Sequence, residues 1–276
     1  MPDKLRDVDS HFAFGKNWAS FAALVDAAAI EEAQRGLSKL IPNEGFQGRS
    51  FLDIGCGSGL HALAAARLGV ARILAVDIDP DSVGTTRALL SGHKIGIPWQ
   101  ADEISVFDLY PARQGTFDIV YSWGVLHHSG DMWAAVETAS ALVGPGGLFV
   151  FALYRTTSMD PFWKREKRWY SRASPFAQRL ARGCFIAAYR VAHARSHQGR
   201  FGDFVANYRS ARGMDFYHDV HDWLGGYPYE TALAAEVERR MTALGFEAER
   251  IFAQPMTRGL LGSGCDEYVY RRQRLD

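Results

Sequence analysis

Ser50–Pro80 reads SFLDIGCGSGLHALAAARLGVARILAVDIDP: a short apolar run, three glycines at alternate positions, an alanine-rich run, and a second apolar run ending in acids. Glycine at Gly55, Gly57 and Gly59 permits a tight strand-to-helix turn and close approach of a ligand to the backbone. The helix that follows offers unpaired N–H groups to a carboxylate or phosphate. The spacing is G-x-G-x-G; in the dinucleotide fingerprint G-x-G-x-x-G the third glycine would fall on Leu60. Asp77 ends the second apolar run about 20 residues on, the offset at which a carboxylate meets a ribose diol. The same residue would serve as a helix N-cap, although Asp79 can fill that role. Asp53, at the carboxyl end of the first strand, suits a cationic amine better than a pyrophosphate.

Outward from this stretch, strand and helix patterns alternate. SFLDI (50–54), HALAAARLG (61–69), RILAVDI (72–78), PDSVGTTRALLSGH (80–93) and a strand ending near Ser105 come first. TFDIVYSW (116–123), a helix around MWAAVETASALV (132–143), a turn GPGG (144–147) and the strand LFVFALY (148–154) continue the pattern. Such alternation implies a parallel sheet covered on both faces. The tail, with a helix over 231–245 and strands over 248–254 and 267–273, closes the sheet with an antiparallel member. Upstream, helical spacing over 17–41 predicts one amphipathic helix ended by Pro42, Gly45 and Gly48. Between Arg155 and Tyr229 the rhythm gives way to helical pieces rich in arginine and aromatic residues. The predicted architecture is α/β: a Rossmann-like seven-stranded sheet flanked by helices, with a mainly helical cap inserted after the fifth strand. Its parts are an N-terminal helical segment (1–48), a core (49–154 and 230–276) and the cap (155–229).

A chain of 276 residues accommodates one large domain with an insertion. Lys plus Arg and Asp plus Glu number 31 each, so no global charge draws the protein to nucleic acid or a membrane. Cys56, Cys184 and Cys265 are far apart and form no C-x-x-C pair, which reads as a reducing compartment without structural zinc. The start, MPDKLRDVDSHF, lacks the apolar stretch of a signal peptide, and no run approaches the roughly 20 apolar residues of a spanning helix, so a cytoplasmic location is expected. Charge is local instead. From Lys164 to Arg212, twelve basic residues face Glu166 and Asp203, a balance of +10. That asymmetry points to an anionic acceptor, a membrane surface or an RNA, while a solvated helix face would give the same interleaving of arginines and aromatics. AQRLARGCFIAAYRVAHARSH (177–197) is amphipathic and basic, as a lipid headgroup region would require. No added RNA-binding module accompanies it, which disfavours nucleic acid.

FLDIGCGSG (51–59), AVDIDP (75–80), FDIVYSWGVLHH (117–128) and LVGPGGLFVFALY (142–154), in that order, resemble a class I S-adenosylmethionine-dependent methyltransferase. The nearest flavour is the ubiquinone-biosynthesis type and its small-molecule relatives, which share the VLHH element. Four matched segments in order are far more specific than one glycine loop. The resemblance implies S-adenosylmethionine as cofactor and S-adenosylhomocysteine as product, with Asp53, Gly55, Cys56, Gly57 and Gly59 around the methionine moiety and Trp123 nearby. It implies Asp77 on the ribose hydroxyls and Ile78 on adenine. The usual Gly-Asp at the adenine edge is replaced by ADEISVFD (101–108); aligning Asp108 with the trailing acid puts Ser105 and Val106 there, and Asp102 is the rival register. In relatives a segment such as HFAFGKNW (11–18) closes over the cofactor, so Trp18 would cover the sulfonium or simply pack on the sheet domain.

The implied reaction is in-line transfer to a small-molecule acceptor, at a hydroxyl given the available histidines. Placement supplies most of the catalysis and a base assists. YSWGVLHHSG (121–130) lies at the carboxyl edge of the fourth strand, where ligands of open α/β sheets bind. His127 is the base by resemblance, or a loop-closing residue bonded to backbone. DFYHDVHDWLGGYPYE (215–230) sets His218 and His221 three apart beside Asp219 and Asp222, which could form a His-carboxylate base or two metal ligands; no third ligand follows, so no metal is assigned. This element and GSGCDEYVY (262–270) are similar to a tail-side feature of such methyltransferases. The similarity implies a cap folded over the active site, with His221 a second candidate base and Tyr154, His218, Trp223 and Tyr227 facing substrate, or an aromatic cap core around Trp223. Two other readings stay open: a macromolecular methyltransferase using the basic cap on RNA or protein, and a non-catalytic cofactor-binding protein.

Overall fold

A computed structural model of the chain describes residues 10–22, 25–196, 199–212, 215–255 and 257–274. The charged start over 1–9, and the side chains of Arg209 and Arg212 counted in the basic balance, lie outside the described residues.

Where apolar spacing predicts one leading helix, the chain forms two, α1 (Phe14–Ala22) and α2 (Ala27–Leu40). Asp26 makes the break: its backbone is extended and its carboxylate accepts the Ala29 N–H, capping α2. The sheet domain then runs β1 (Ser50–Ile54), α3 (Leu60–Arg67), β2 (Arg72–Asp77), α4 (Pro80–Gly92), β3 (Trp99–Glu103), the short α5 (Pro111–Gln114), β4 (Phe117–Trp123), α6 (Met132–Ala141) and β5 (Val143–Tyr154). Four helices follow, α7 (Asp160–Tyr170), α8 (Pro175–Arg195), α9 (Phe201–Arg212) and α10 (Phe216–Gly225), before α11 (Ala234–Ala243), β6 (Phe246–Phe252) and β7 (Cys265–Arg272).

The strands form one sheet in the order β3-β2-β1-β4-β5-β7-β6. Neighbours from β3 to β5 are parallel, and β7 runs antiparallel to both β5 and β6. Chain order reverses between β1 and β4, so the loops after these strands open a crevice at the carboxyl edge. The GPGG segment predicted as a turn lies inside β5: Val143 pairs with Phe117, and pairing resumes at Leu148 opposite Ile119 after a register shift. A bulge absorbs the extra residues.

Alternate side chains feed two cores. Phe51, Ile119, Tyr121 and Val150 pack with α2 and α3, whereas Leu52, Ile54, Val120, Phe149 and Phe151 pack with α6 and α11. Burial on both faces explains why these strands read as continuous apolar runs. The helices between β5 and α11 share a third core, Trp163, Tyr170, Tyr208, Phe216, Val220 and Leu224, into which Phe12 of the leading segment inserts. This cap is tied to the sheet at a neck, where Arg155 N–H donates to Gly264 C=O (3.0 Å) and Ala232 N–H to Tyr154 C=O (2.9 Å).

Candidate functional site

The loop between β1 and α3 turns through Gly55 (φ 76°) and Gly57 (φ 53°), a backbone region that side chains disfavour. Space is restricted as well: a Cβ at Gly55 would lie 2.4 Å from Val125, and one at Gly57 would lie 3.2 Å from the Trp18 indole. Asp77, at the end of β2, accepts the Gly57 N–H (3.0 Å) and the Asp79 N–H (3.0 Å). Asp79 is the N-cap of α4, accepting the Asp81 N–H (2.9 Å) and the Gly15 N–H of α1 (2.8 Å). Capping therefore belongs to Asp79, and Asp77 shapes the glycine loop.

Asp53 is 2% exposed, and its Oδ2 is buried without a hydrogen-bond partner among the described residues. Burial, with Asp77's charge adding, pushes its carboxyl up to about 7. Burial also raises Asp77 to about 6 against the backbone N–H groups of Asp79 and Gly57. An orphaned carboxylate oxygen beside a second acid is a place that a cation would relieve. Cys56 is buried and accepts the Thr86 hydroxyl (3.3 Å); burial pushes its thiol well up, so it packs rather than reacts.

Beside Asp77, the Ile104 N–H donates to Asp77 C=O (3.0 Å), which sets half-buried Ser105 and Val106 next to half-buried Ile78. The Ser105 hydroxyl caps a single 3₁₀ turn by accepting the Phe107 N–H (3.4 Å). Asp102 instead turns toward α4 and pairs with Arg87 (3.3 Å), its side chain 44% exposed. Trp18 lies against Gly57 and also packs on the core of the sheet domain. Trp123, expected with the cofactor group, donates its indole N–H to Glu267 (3.0 Å) and packs its ring toward His61.

A second group sits at the carboxyl edge of β4 and β5. His127 is fully buried; its Nδ1 accepts the Tyr154 N–H (3.3 Å), and its ring lies 3.8 Å from that of Tyr154. Burial holds its pKa well below the usual value. The ring is therefore neutral and held by the backbone of β5. His128 differs: its Nδ1 donates to Pro228 C=O (2.7 Å), the Cε1–Nε2 side of its ring lies against Gly226, and burial lowers its pKa to about 3. The Tyr154 bond is a backbone contact of the kind the loop-closing alternative expects, and the His127 Nε2 is buried without a hydrogen-bond partner among the described residues.

Lys167 escaped the sequence reading, where it counted toward the basic face. It is fully buried, with Nζ 3.6 Å from the Trp223 ring centroid and 5.2 Å from that of Tyr229, and it donates to Trp223 C=O. Burial lowers its pKa, opposed by Glu166 and Asp222. Its signal was helical spacing: Trp163, Lys167 and Tyr170 line the one buried face of α7. Trp223 Nε1, also buried, has no hydrogen-bond partner among the described residues.

The residues predicted to face substrate do not share one pocket. Tyr154 and Trp223 meet at 5.2 Å beside Lys167. His218 and His221 occupy the other side of α10, because residues three apart share a helix stripe and Trp223, two further on, does not. They line a cavity of about 330 Å³ with Asn17, Arg182, Ile186 and Tyr217. His218 bonds Asp215 (2.9 Å) and the Ser20 hydroxyl (3.1 Å), and His221 bonds the Tyr170 hydroxyl (2.7 Å). Burial takes His221 down to about 4. Tyr227 is buried at the seam with the leading segment, its C=O accepting the Phe12 N–H (3.0 Å). Among the described residues no three His, Cys, Asp or Glu side chains cluster as metal ligands would.

The profile of a family described as "Methyltransferase domain" matches residues 25–194. The ubiquinone biosynthesis O-methyltransferase of Xanthomonas campestris pv. campestris (strain B100) is 36% identical over 110 residues, 40% of this chain and 45% of that protein. The chain therefore spans about half the length of the curated relatives it matches. Among solved structures, the magnesium protoporphyrin IX methyltransferase of Synechocystis PCC 6803 with bound SAM aligns at TM-score 0.52 and 11% identity, covering 90% of this chain and 81% of that one. The cyclase SpnF aligns at TM-score 0.53 and 12% identity, covering 88% and 80%. At such identities the likeness is one of fold, and a fold hosts more than one chemistry.

Proposed function

Because the chain belongs to the methyltransferase-domain family, we propose that it transfers a methyl group from S-adenosylmethionine to the hydroxyl of a small-molecule acceptor. The observation that carries this reading is the orphaned, buried Oδ2 of Asp53 beside the Gly55–Gly57 turn and Asp77. A carboxylate with one unpaired oxygen, next to positive-φ glycines and a second acid, fits a ligand that joins a cationic amine to a ribose.

Asp53 would hold the amine, Asp77 the ribose hydroxyls, and Ile78 with Ser105 and Val106 the adenine, under a cover of Trp18. When bound, the cofactor supplies an already electrophilic methyl group. The chain's own task is then to place an acceptor oxygen and exclude water, and placement can supply ~7–11 kcal/mol in favourable cases. The leading segment and the cap enclose the carboxyl edge, as Phe12 in the cap core and the Gly15–Asp79 bond require. With the pKa of His128 held near 3 by burial, the chain offers only a weak proton acceptor there and placement carries the transfer, while Tyr154, Trp223 and Lys167 shape the acceptor side. The preference for oxygen leans on the named activity of the curated relative.

The test is mass spectrometry of cell extract incubated with the protein and methyl-deuterated S-adenosylmethionine, at low and high salt. A labelled small product is expected; label confined to RNA or protein would replace this reading with a macromolecular one. With the acceptor in hand, His128→Ala is expected to slow transfer at saturating cofactor by less than the roughly 10²-fold that a positioned base is worth, because its pKa near 3 makes it a weak one. His221→Ala should retain the rate. Full activity in His128→Ala, His127→Ala and His221→Ala alike would leave transfer to positioning alone.

A further inference from the structure

Helix α8 spans 21 residues, and only His193 on it is buried. Its outward stripe is nevertheless apolar. Phe176 is 78% exposed, Leu180 61% and Val191 50%, with exposed Gly183, Cys184, Ala187 and Ala194 filling the positions between them. These residues recur every three or four positions, so they form one continuous ridge about 30 Å long. Arg179 and Arg190 follow one border of that ridge and Arg195 the other, by the same spacing. The helix contains no Asp or Glu. Its predecessor α7 adds exposed Trp169 (52%) and Phe162 (50%) beside exposed Lys164, Arg165 and Arg168.

An ordinary surface helix turns its apolar stripe inward and its charges outward. Here the face toward solvent is apolar and edged with arginine, the pattern of a helix lying in a bilayer interface with side chains among the acyl chains and guanidinium groups at anionic headgroups. No helix among the described residues is long and apolar enough to cross a membrane, which leaves lying on it. We propose that the α8 face of the cap docks on an anionic lipid surface. Two copies packed ridge to ridge would set arginine borders against each other with no acid between them. Residues 1–9, MPDKLRDVD, carry no apolar run to cover the ridge. Leu180, Ala187 and Val191 at its centre give RNA bases neither stacking nor hydrogen bonds.

The proposal uses no step of the methyl-transfer reading, so either stands if the other fails. The full chain is floated with vesicles of phosphatidylcholine alone and with equimolar phosphatidylcholine and phosphatidylglycerol. Binding to the anionic vesicles only, weakened by salt, is expected. The double variant Phe176→Glu/Leu180→Glu, at exposed positions where folding is spared, should lower the bound fraction roughly tenfold or more. Leu180→Trp should show, on the anionic vesicles and not on the neutral ones, a blue-shifted emission after the signal of the wild-type chain's seven tryptophans is subtracted. No binding, equal binding by the double variant, or unshifted Leu180→Trp emission would overturn the proposal. A lipid-free dimer or an RNA complex lost in the double variant, without vesicle binding, would reassign the ridge.

Discussion

Asp77→Ala is expected to weaken S-adenosylhomocysteine binding, measured by isothermal titration, by ~1–3 kcal/mol through loss of a charged hydrogen-bond acceptor. The substitution also removes the acceptor of the Gly57 N–H, so the loop loses the bond that shapes it. Unchanged affinity would take Asp77 out of the site. Asp53 makes a separate prediction through pH. Its carboxyl lies near 7 and that of Asp77 near 6, both raised chiefly by burial. A ligand that pairs with the ionised forms must displace those protons below these values. Affinity should therefore fall as pH drops from about 7 toward 4, by at most about tenfold per pH unit for each group.

The same shifts set the stability of the unliganded protein with the opposite sense. Both folded values stand above the ordinary carboxylate value of 3.8, so the folded state binds more protons than the unfolded one between about pH 4 and 7. Their contribution to stability is greatest below that window and is lost as pH rises through it. Thermal melts of Asp53→Asn should lack the upper part of this dependence, and its titrations should show a flatter pH profile. A wild-type affinity that is constant between pH 5 and 8 would remove Asp53 from contact with the ligand.

The two acids were legible in the sequence because each ends an apolar run, and runs such as LDI and LAVD are what a parallel strand buried on both faces must look like. Local signals failed where a distant partner decides. The helix break at Asp26 is a capping choice superimposed on unbroken apolar spacing. The GPGG segment joins β5 because Val143 finds Phe117, a pairing that turn chemistry does not foretell. The adjacent histidines are told apart by Pro228 C=O, a hundred residues along the chain, which fixes the His128 tautomer. Lys167 looked like surface charge and is buried because the cap closes aromatic rings around it.

Asp266→Ala is expected to destabilise the protein by ~3–5 kcal/mol, the cost of leaving a buried partner charge unpaired. Arg155 Nε and Nη2 lie 2.9 and 2.8 Å from Asp266 Oδ1, with side chains 8% and 3% exposed. The same oxygen accepts the Gln254 N–H (3.1 Å), so one carboxylate joins the end of β5, the start of β7 and the segment after β6. Arg155 is also where the chain leaves the sheet for the cap, its N–H bonded to Gly264 C=O. At about 2–4 °C per kcal/mol for a chain of this size, the melting temperature should drop by roughly 6–20 °C. Replacing both partners, Arg155→Met with Asp266→Ala, removes the stranded guanidinium, and the double variant should melt above the Asp266→Ala single. A double variant no more stable than the single would show that the loss comes from the Gln254 bond and local packing, and that the ion pair contributes little to holding the neck.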